Sequence, residues 1–183
     1  LPACPKVLHE VAGLALVEHV VCAAESAGGE AHAVIVGREA AAVEEAVRRS
    51  TPNASFHEQR ERLGTAHAVI AAREAIARGY DDLLVLFADT PLTDPEQLLR
   101  LRADLAAGAS VAVLGFRTAD PSGYGRLIER DGELLAIREH RDATEEERRI
   151  DLCNGGIMAI DGLRALELLD RIGNDNRSEE RRV

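Results

Sequence analysis

Residues 83 to 91 read LLVLFADTP, an apolar run that ends in an acid. A lone carboxylate is costly inside a protein, so Asp89 is expected where a strand emerges and meets a cation, a donor or water. There a hard carboxylate oxygen can hold Mg²⁺ together with the phosphates of a substrate. Asp is also frequent in turns, and that plainer role fits Asp89 taken alone. Other groups could join it. PKVLH puts Lys6 near the start of the chain, a cation that matters only if phosphates sit nearby. EQRERLGTAHA sets Gln59, a donor and an acceptor as reading a base edge requires, before Gly64 and Thr65, which open a helix with backbone N–H groups and a hydroxyl. DPSGYGRL flanks Tyr124 with Gly123 and Gly125, which lets backbone approach a ligand closely. REHRDAT and CNGG supply Glu139 and Asn154, polar groups beside apolar strands that could converge on sugar hydroxyls. Each stretch alone also reads as an ordinary cap, turn or surface decoration.

Several other chemistries lack their residues. The six histidines show neither HxH nor HExxH spacing, there is no GxSxG elbow, and no GxGxxG follows a strand. The formal charge of −10 argues against an unassisted nucleic-acid surface, so an anionic ligand needs a local cation. Three cysteines without CxxC spacing suggest free thiols in a reducing cytoplasm rather than disulfides or zinc. The longest apolar runs fall well short of the roughly 18 residues of a membrane-spanning helix.

The elements that must hold these residues alternate. LALVEHVVCAAESAG has helical spacing and stops at Gly28-Gly29; HAVIVG and ASFHEQ read as strands around the helix REAAAVEEAVRRS. GTAHAVIAAREAIARG is expected to form one helix between Gly64 and Gly79. DDLLVLFAD reads as a buried strand reaching Asp89, and DPEQLLRLRADLAAG as a helix capped by Asp94 with Pro95 in its first turn. After the strand SVAVLGF, GYGRLIERDGELLAIREH is a hairpin about Asp131-Gly132; ATEEERR, LCNGGIMAI and GLRALELLDRIG then give helix, strand and helix. This order predicts one α/β domain: a Rossmann-like, mainly parallel sheet with helices on both faces, a β-hairpin insertion, and ligands at the carboxyl ends of the strands.

Taken in order, PKVLHEVAG, EQRERLGTAHA, FADTPL, DPSGYGRL, EHRDAT and CNGGI resemble the uridyltransferase domain of the bifunctional N-acetylglucosamine-1-phosphate uridyltransferase/glucosamine-1-phosphate acetyltransferase family, from about Pro5 to Asn176. The resemblance implies a nucleotidyltransferase fold and transfer of UMP from UTP to N-acetylglucosamine 1-phosphate, giving UDP-N-acetylglucosamine, an envelope precursor, and pyrophosphate. It implies that Lys6 contacts UTP phosphates, Gln59 reads uracil, Gly64 and Thr65 complete the uridine pocket, and Asp89 holds Mg²⁺. Gly125, Glu139 and Asn154 are implied to contact the N-acetylglucosamine moiety. Two departures flank the nucleotide: Arg62 stands where a glutamine is usual, and Phe87-Ala88 replace a Tyr-Gly pair.

The family's first strand and its glycine-rich LxAGxGTxM loop precede the resembling region, while a second Mg²⁺ ligand and a β-helix acetyltransferase domain, the source of a homotrimer, follow it. The partial domain is therefore expected over residues 1–176. RSEERRV, residues 177–183, matches one reading frame of a common sequencing adapter and is expected to be a non-native tail. Without the loop, the chain is expected to show no uridyltransfer of its own and to expose sheet edges. Two other readings are a nucleotidyltransferase for a different sugar phosphate or base, and a non-catalytic nucleotide-sugar binding module.

Overall fold

The structure, a computed structural model, describes residues 4–37, 40–61 and 63–172; Arg62 and the 177–183 tail lie outside them. In chain order the elements are a 3-10 turn (Lys6–Leu8), β1 (Glu10–Val11), β2 (Leu14–Ala15), α1 (Leu16–Ser26), β3 (Ala33–Val36), α2 (Ala41–Ser50), β4 (Ser55–Glu58), α3 (Thr65–Ile70) and α4 (Arg73–Ile76). There follow β5 (Asp82–Val85), α5 (Pro95–Ala106), β6 (Val111–Arg117), β7 (Arg126–Arg130), β8 (Glu133–Arg138), α6 (Glu145–Arg148), β9 (Leu152–Asp161) and α7 (Ala165–Asp170).

Local chemistry sets many of these boundaries. Gly28 takes φ +82° after α1, and the Gly29 N–H donates to Ala24 O at 2.9 Å, which stops the helix. Asp94 Oδ1 accepts from the Glu96 N–H at 2.9 Å ahead of α5, with Pro95 in its first turn. The Asp131-Gly132 turn has φ +54° and +84°, and the ladder closes at Arg130 opposite Glu133, so β7 and β8 form the expected two-residue hairpin.

The single helix expected from Gly64 to Gly79 is instead two. Around Ala71-Ala72 the bonding tightens to i→i−3, with the Ala72 N–H donating to Val69 O at 3.0 Å. Each piece then docks separately, Ala66, Val69 and Ile70 from one and Ile76 from the other, in a cluster with Ala165 and Leu169 of α7.

Two sheets result. β3 and β4 form a parallel pair in which Val34 lies opposite Phe56. The larger sheet centres on β9, to which β5, β6 and β7 are all antiparallel, so β5 and β6 share one direction. The sheet is therefore mixed, with same-direction strands separated by β9. β6 follows β9 along most of its length and fills one edge. A strand has two edges, so β5 and β7 divide the other, β5 near the Asp161 end and β7 near Cys153.

Alternation along the strands buries both faces. Ile157 and Ala159 of β9 meet Ala23 and Ala27 of α1 and Leu98, Leu101 and Leu105 of α5, while Ile160 and Val85 meet α4 and α7. Helix α1 also packs Val17 and Val21 against α2 in the cluster that includes Val34 and Phe56, tying the two sheets together. Among the described residues β3 pairs only with β4 and β5 only with β9, so each leaves an edge without a strand. No helix among them is long and apolar enough to cross a membrane.

Glu18 braces this joint. It is 3% exposed and accepts from the Ala15 N–H at 2.9 Å, Arg49 Nη2 at 3.1 Å and the Ser50 hydroxyl at 3.3 Å. Burial pushes its pKa up, but the Ala15 and Arg49 contacts outweigh it and hold the carboxyl below its ordinary value. A depressed folded-state pKa contributes stability that is present above the unfolded value of about 4.3 and is lost as pH falls through the folded value. Glu18→Gln is therefore expected to cost about 1–2 kcal/mol at pH 7, with the gap from the parent closing below about pH 4. Urea melts at pH 7 and pH 3.5 measure this, and a gap independent of pH would contradict the assignment.

Candidate active site

The apolar run ends in an acid because its last residues part company. The β5 ladder stops at Val85, short of the expected Asp89, and the chain turns with the Thr90 N–H and hydroxyl both donating to Phe87 O, at 3.3 and 2.7 Å. Phe87 presses its ring on Gly156, where a Cβ would lie 2.6 Å from Phe87 Cε2. Ala88 packs against the buried cluster that includes Ala15, Val17, Val21 and Val47. Asp89 is left facing outward, where its Oδ2 lies 2.9 Å from Lys6 Nζ.

The strand stops early because β9 is irregular at that level. Its ladder with β6 shifts between Val113 and Gly115, and Gly156 adopts φ +81°, a backbone that L side chains rarely take. A Cβ on Gly155 would lie 2.7 Å from Leu114 O, so this bulge needs both glycines. It also fixes Asn154, whose Oδ1 accepts from the Gly156 N–H at 2.9 Å.

The residues implied by resemblance gather into three groups. Lys6 and Asp89 form the first, an exposed ion pair with side chains 72% and 38% accessible. Gln59, Gly64 and Thr65 form the second: Gln59 Nε2 donates to Gly64 O at 3.2 Å, and Gly64, at φ +100°, leads into Thr65 at the start of α3. His67 Nδ1, 3.4 Å from Gln59 Nε2, adds a contact to this group. The third is a single rung of the large sheet. Arg126 pairs with Arg138 on one side and Cys153 on the other, so the next residues out are Gly125, Glu139 and Asn154. The Asn154 N–H donates to Gly125 O at 2.8 Å, and a Cβ on Gly125 would lie 3.2 Å from Glu139 Oε1.

The first and third groups are linked by the Phe87–Gly156 contact, two residues from Asp89 and two from Asn154. Phe87, in one of the two departures from the family pattern beside the nucleotide, is the joint between them. Tyr124, beside Gly125, stacks edge-on against Phe116 with centroids 4.9 Å apart, which steadies the loop. A hollow lined by Arg117, Thr118, Pro121, Arg149 and Asp151 contains none of these residues. Its Arg117 is already engaged by Asp151 and Glu129.

A cation at Asp89 would find one carboxylate. Among the described residues no group of three or more His, Cys, Asp or Glu side chains could hold a metal. Mg²⁺ needs no protein cage, because one or two carboxylates suffice when phosphates and water complete its octahedron. Asp89 beside a lysine thus fits Mg²⁺ carried on a phosphate ligand. The three thiols are free, Cys4 exposed and Cys153 buried.

Residues 3–151 match the MobA-like NTP transferase domain. The chain is 58% identical over 176 residues to the bifunctional protein GlmU of Bradyrhizobium sp. (strain ORS 278), covering 96% of this chain and 39% of that protein. It is 59% identical over 174 residues to that of Sinorhizobium fredii (strain NBRC 101917 / NGR234), covering 95% and 38%. The chain thus spans about two fifths of the length of these curated relatives. Among solved structures, UDP-glucose pyrophosphorylase complexed with UDP-glucose superimposes with a TM-score of 0.75 at 19% identity, over 95% of this chain and 75% of that one. Its apo form gives 0.76 at 18%, over 95% and 76%. These two structures show that the fold is that of a nucleotidyltransferase. With the domain match spanning most of its length, the chain belongs to the MobA-like NTP transferase domain family.

Proposed function

We propose that this chain forms the nucleotide-sugar site of an enzyme that transfers UMP from UTP to N-acetylglucosamine 1-phosphate, yielding UDP-N-acetylglucosamine and pyrophosphate. The observation that carries the reading is the Phe87–Gly156 contact, which joins the cation–carboxylate pair to the polar rung; the Gln59 amide beside a glycine-led helix is a group of its own. The identity to GlmU proteins over nearly the whole chain supports it.

Each group has a task in this reaction. Gln59 and Thr65 orient the base and ribose, with the Gln59 amide anchored by Gly64 O. Gly125 has no side chain, so the sugar can approach its backbone, while Glu139 and Asn154 offer acceptors and an amide to its hydroxyl and acetamido groups. A phosphate oxygen of the sugar 1-phosphate attacks the α-phosphorus of UTP in line, the α–β bridging P–O bond breaks, and pyrophosphate leaves. That oxygen is already anionic, so no general base is needed. Lys6 offsets negative charge on the phosphates as it builds. When bound, Mg²⁺ on Asp89 would supply Lewis-acid stabilisation of the same charge.

Titration of the chain with nucleotide sugars in Mg²⁺ tests this. UDP-N-acetylglucosamine is expected to bind about tenfold or more tighter than UDP-glucose, since a site that hydrogen-bonds the acetamido group leaves polar atoms unpaired without it. Equal affinity for the two would rule out the sugar assignment. Equal affinity for the cytidine counterpart, whose base swaps the donor at N3 and the acceptor at O4, would remove the base-reading role of Gln59.

A further inference from the structure

We propose that Arg126 is a positioning residue for the sugar end of the site, acting through the backbone that carries Gly125, Glu139 and Asn154; this rests on reading that rung as the sugar contact. Arg126 is 1% exposed and is the largest fully buried side chain. Arginine is almost never fully buried unless it is paired. Yet none of the ion pairs among the described residues includes it. Asp120 feels its charge, but the hydrogen bonds that lower the Asp120 pKa come from Ser122.

The guanidinium spends its donors on three different segments. Nη1 donates to Tyr124 O, and Nη2 donates to Arg148 O at 3.2 Å and to His140 Nδ1 at 3.3 Å, while Nε has no partner. Guanidinium only donates, so His140 accepts at Nδ1. Tyr124 precedes Gly125, His140 follows Glu139, and Arg126 itself lies opposite Cys153, the residue before Asn154. One side chain thus ties the loop before β7 to the exit of β8, each of these ties one residue from the rung, and also holds the end of α6. Filling a core does not require this, because an apolar side chain of similar volume fills it without burying a charge. A fork with fixed donor directions instead sets where the three backbones stand.

The test is a pair of dissociation constants, for UDP and for UDP-N-acetylglucosamine, measured in Mg²⁺ for the parent chain, Arg126→Lys and His140→Ala. Lysine keeps the charge and loses the fork. The His140 variant removes one tie and leaves the buried cation in place, which keeps the proposal testable if Arg126→Lys does not fold. Arg126→Lys is expected to weaken UDP-N-acetylglucosamine by about tenfold while leaving UDP within about twofold, and His140→Ala by about threefold in the same selective way. General loosening of the fold would weaken both ligands together. Variants that weaken UDP and the nucleotide sugar alike, or neither, would overturn the positioning role. If the parent itself binds UDP and UDP-N-acetylglucosamine equally, the reading of the rung fails, and the proposal fails with it.

Discussion

Replacing Asp89 by Asn, in a protein completed to the length of its relatives, is expected to lower Mg²⁺-dependent uridyltransfer by about 10²–10³-fold, the order lost when one preorganised electrostatic contact to the transition state is removed. The fold should barely register the change. The Lys6–Asp89 pair is exposed, and exposed pairs contribute about 0–1 kcal/mol, so the melting temperature should shift by no more than about 4 °C. The contrast separates the two readings of Asp89. A turn-forming aspartate would show itself in stability and leave turnover nearly intact, and the carboxyl oxygens make no hydrogen bond within the Phe87–Thr90 turn, where the bonds run from Thr90 to Phe87 O. Initial rates across a Mg²⁺ series, with a melting curve for each variant, decide between them.

The second large effect belongs to Gly156. Gly156→Ala puts a Cβ 2.6 Å from Phe87 Cε2 and asks alanine to hold φ +81°. The left-handed backbone costs about 1 kcal/mol, and overpacking against a ring adds about 1–3 kcal/mol. The damage should extend past stability, because the ring cannot yield without moving the turn that carries Asp89, and the bulge cannot yield without moving Asn154. Nucleotide-sugar affinity is therefore expected to fall along with a stability loss of about 2–4 kcal/mol. Phe87→Leu in the Gly156→Ala background should recover the steric part and leave the backbone part. A double-mutant cycle measures this coupling, and simple additivity of the two substitutions would show that the ring and the glycine do not act as one joint.

What could be read in advance follows the range of each interaction. The Asp131-Gly132 hairpin, the Asp94-Pro95 start of α5 and the Gly28 stop of α1 are decided within a few residues, and the sequence shows them directly. The split of the expected 64–79 helix is decided by where α7 receives each half, and α7 lies far along the chain. The end of β5 is settled at a distance too. LLVLFA looks like continuous strand, but Gly156 admits the Phe87 ring and ends the ladder at Val85. Alternating strands and helices also predict parallel neighbours, whereas β9 runs back between β5 and β6, a pairing that no local signal encodes. Of the site, the residue types and their order were legible. The rung that aligns Gly125, Glu139 and Asn154 was not, because register emerges only once β7, β8 and β9 are assembled. Arg126 follows the GYG stretch in plain view, but nothing in its spacing announces burial.

The central claim is tested most directly by pyrophosphate release from UTP, assayed with N-acetylglucosamine 1-phosphate, glucose 1-phosphate or no sugar phosphate, in a protein completed to the length of its relatives. The account predicts release that requires both Mg²⁺ and N-acetylglucosamine 1-phosphate, with kcat/KM at least about tenfold higher than with glucose 1-phosphate. Release that proceeds equally well with glucose 1-phosphate, or with another nucleoside triphosphate in place of UTP, would contradict it.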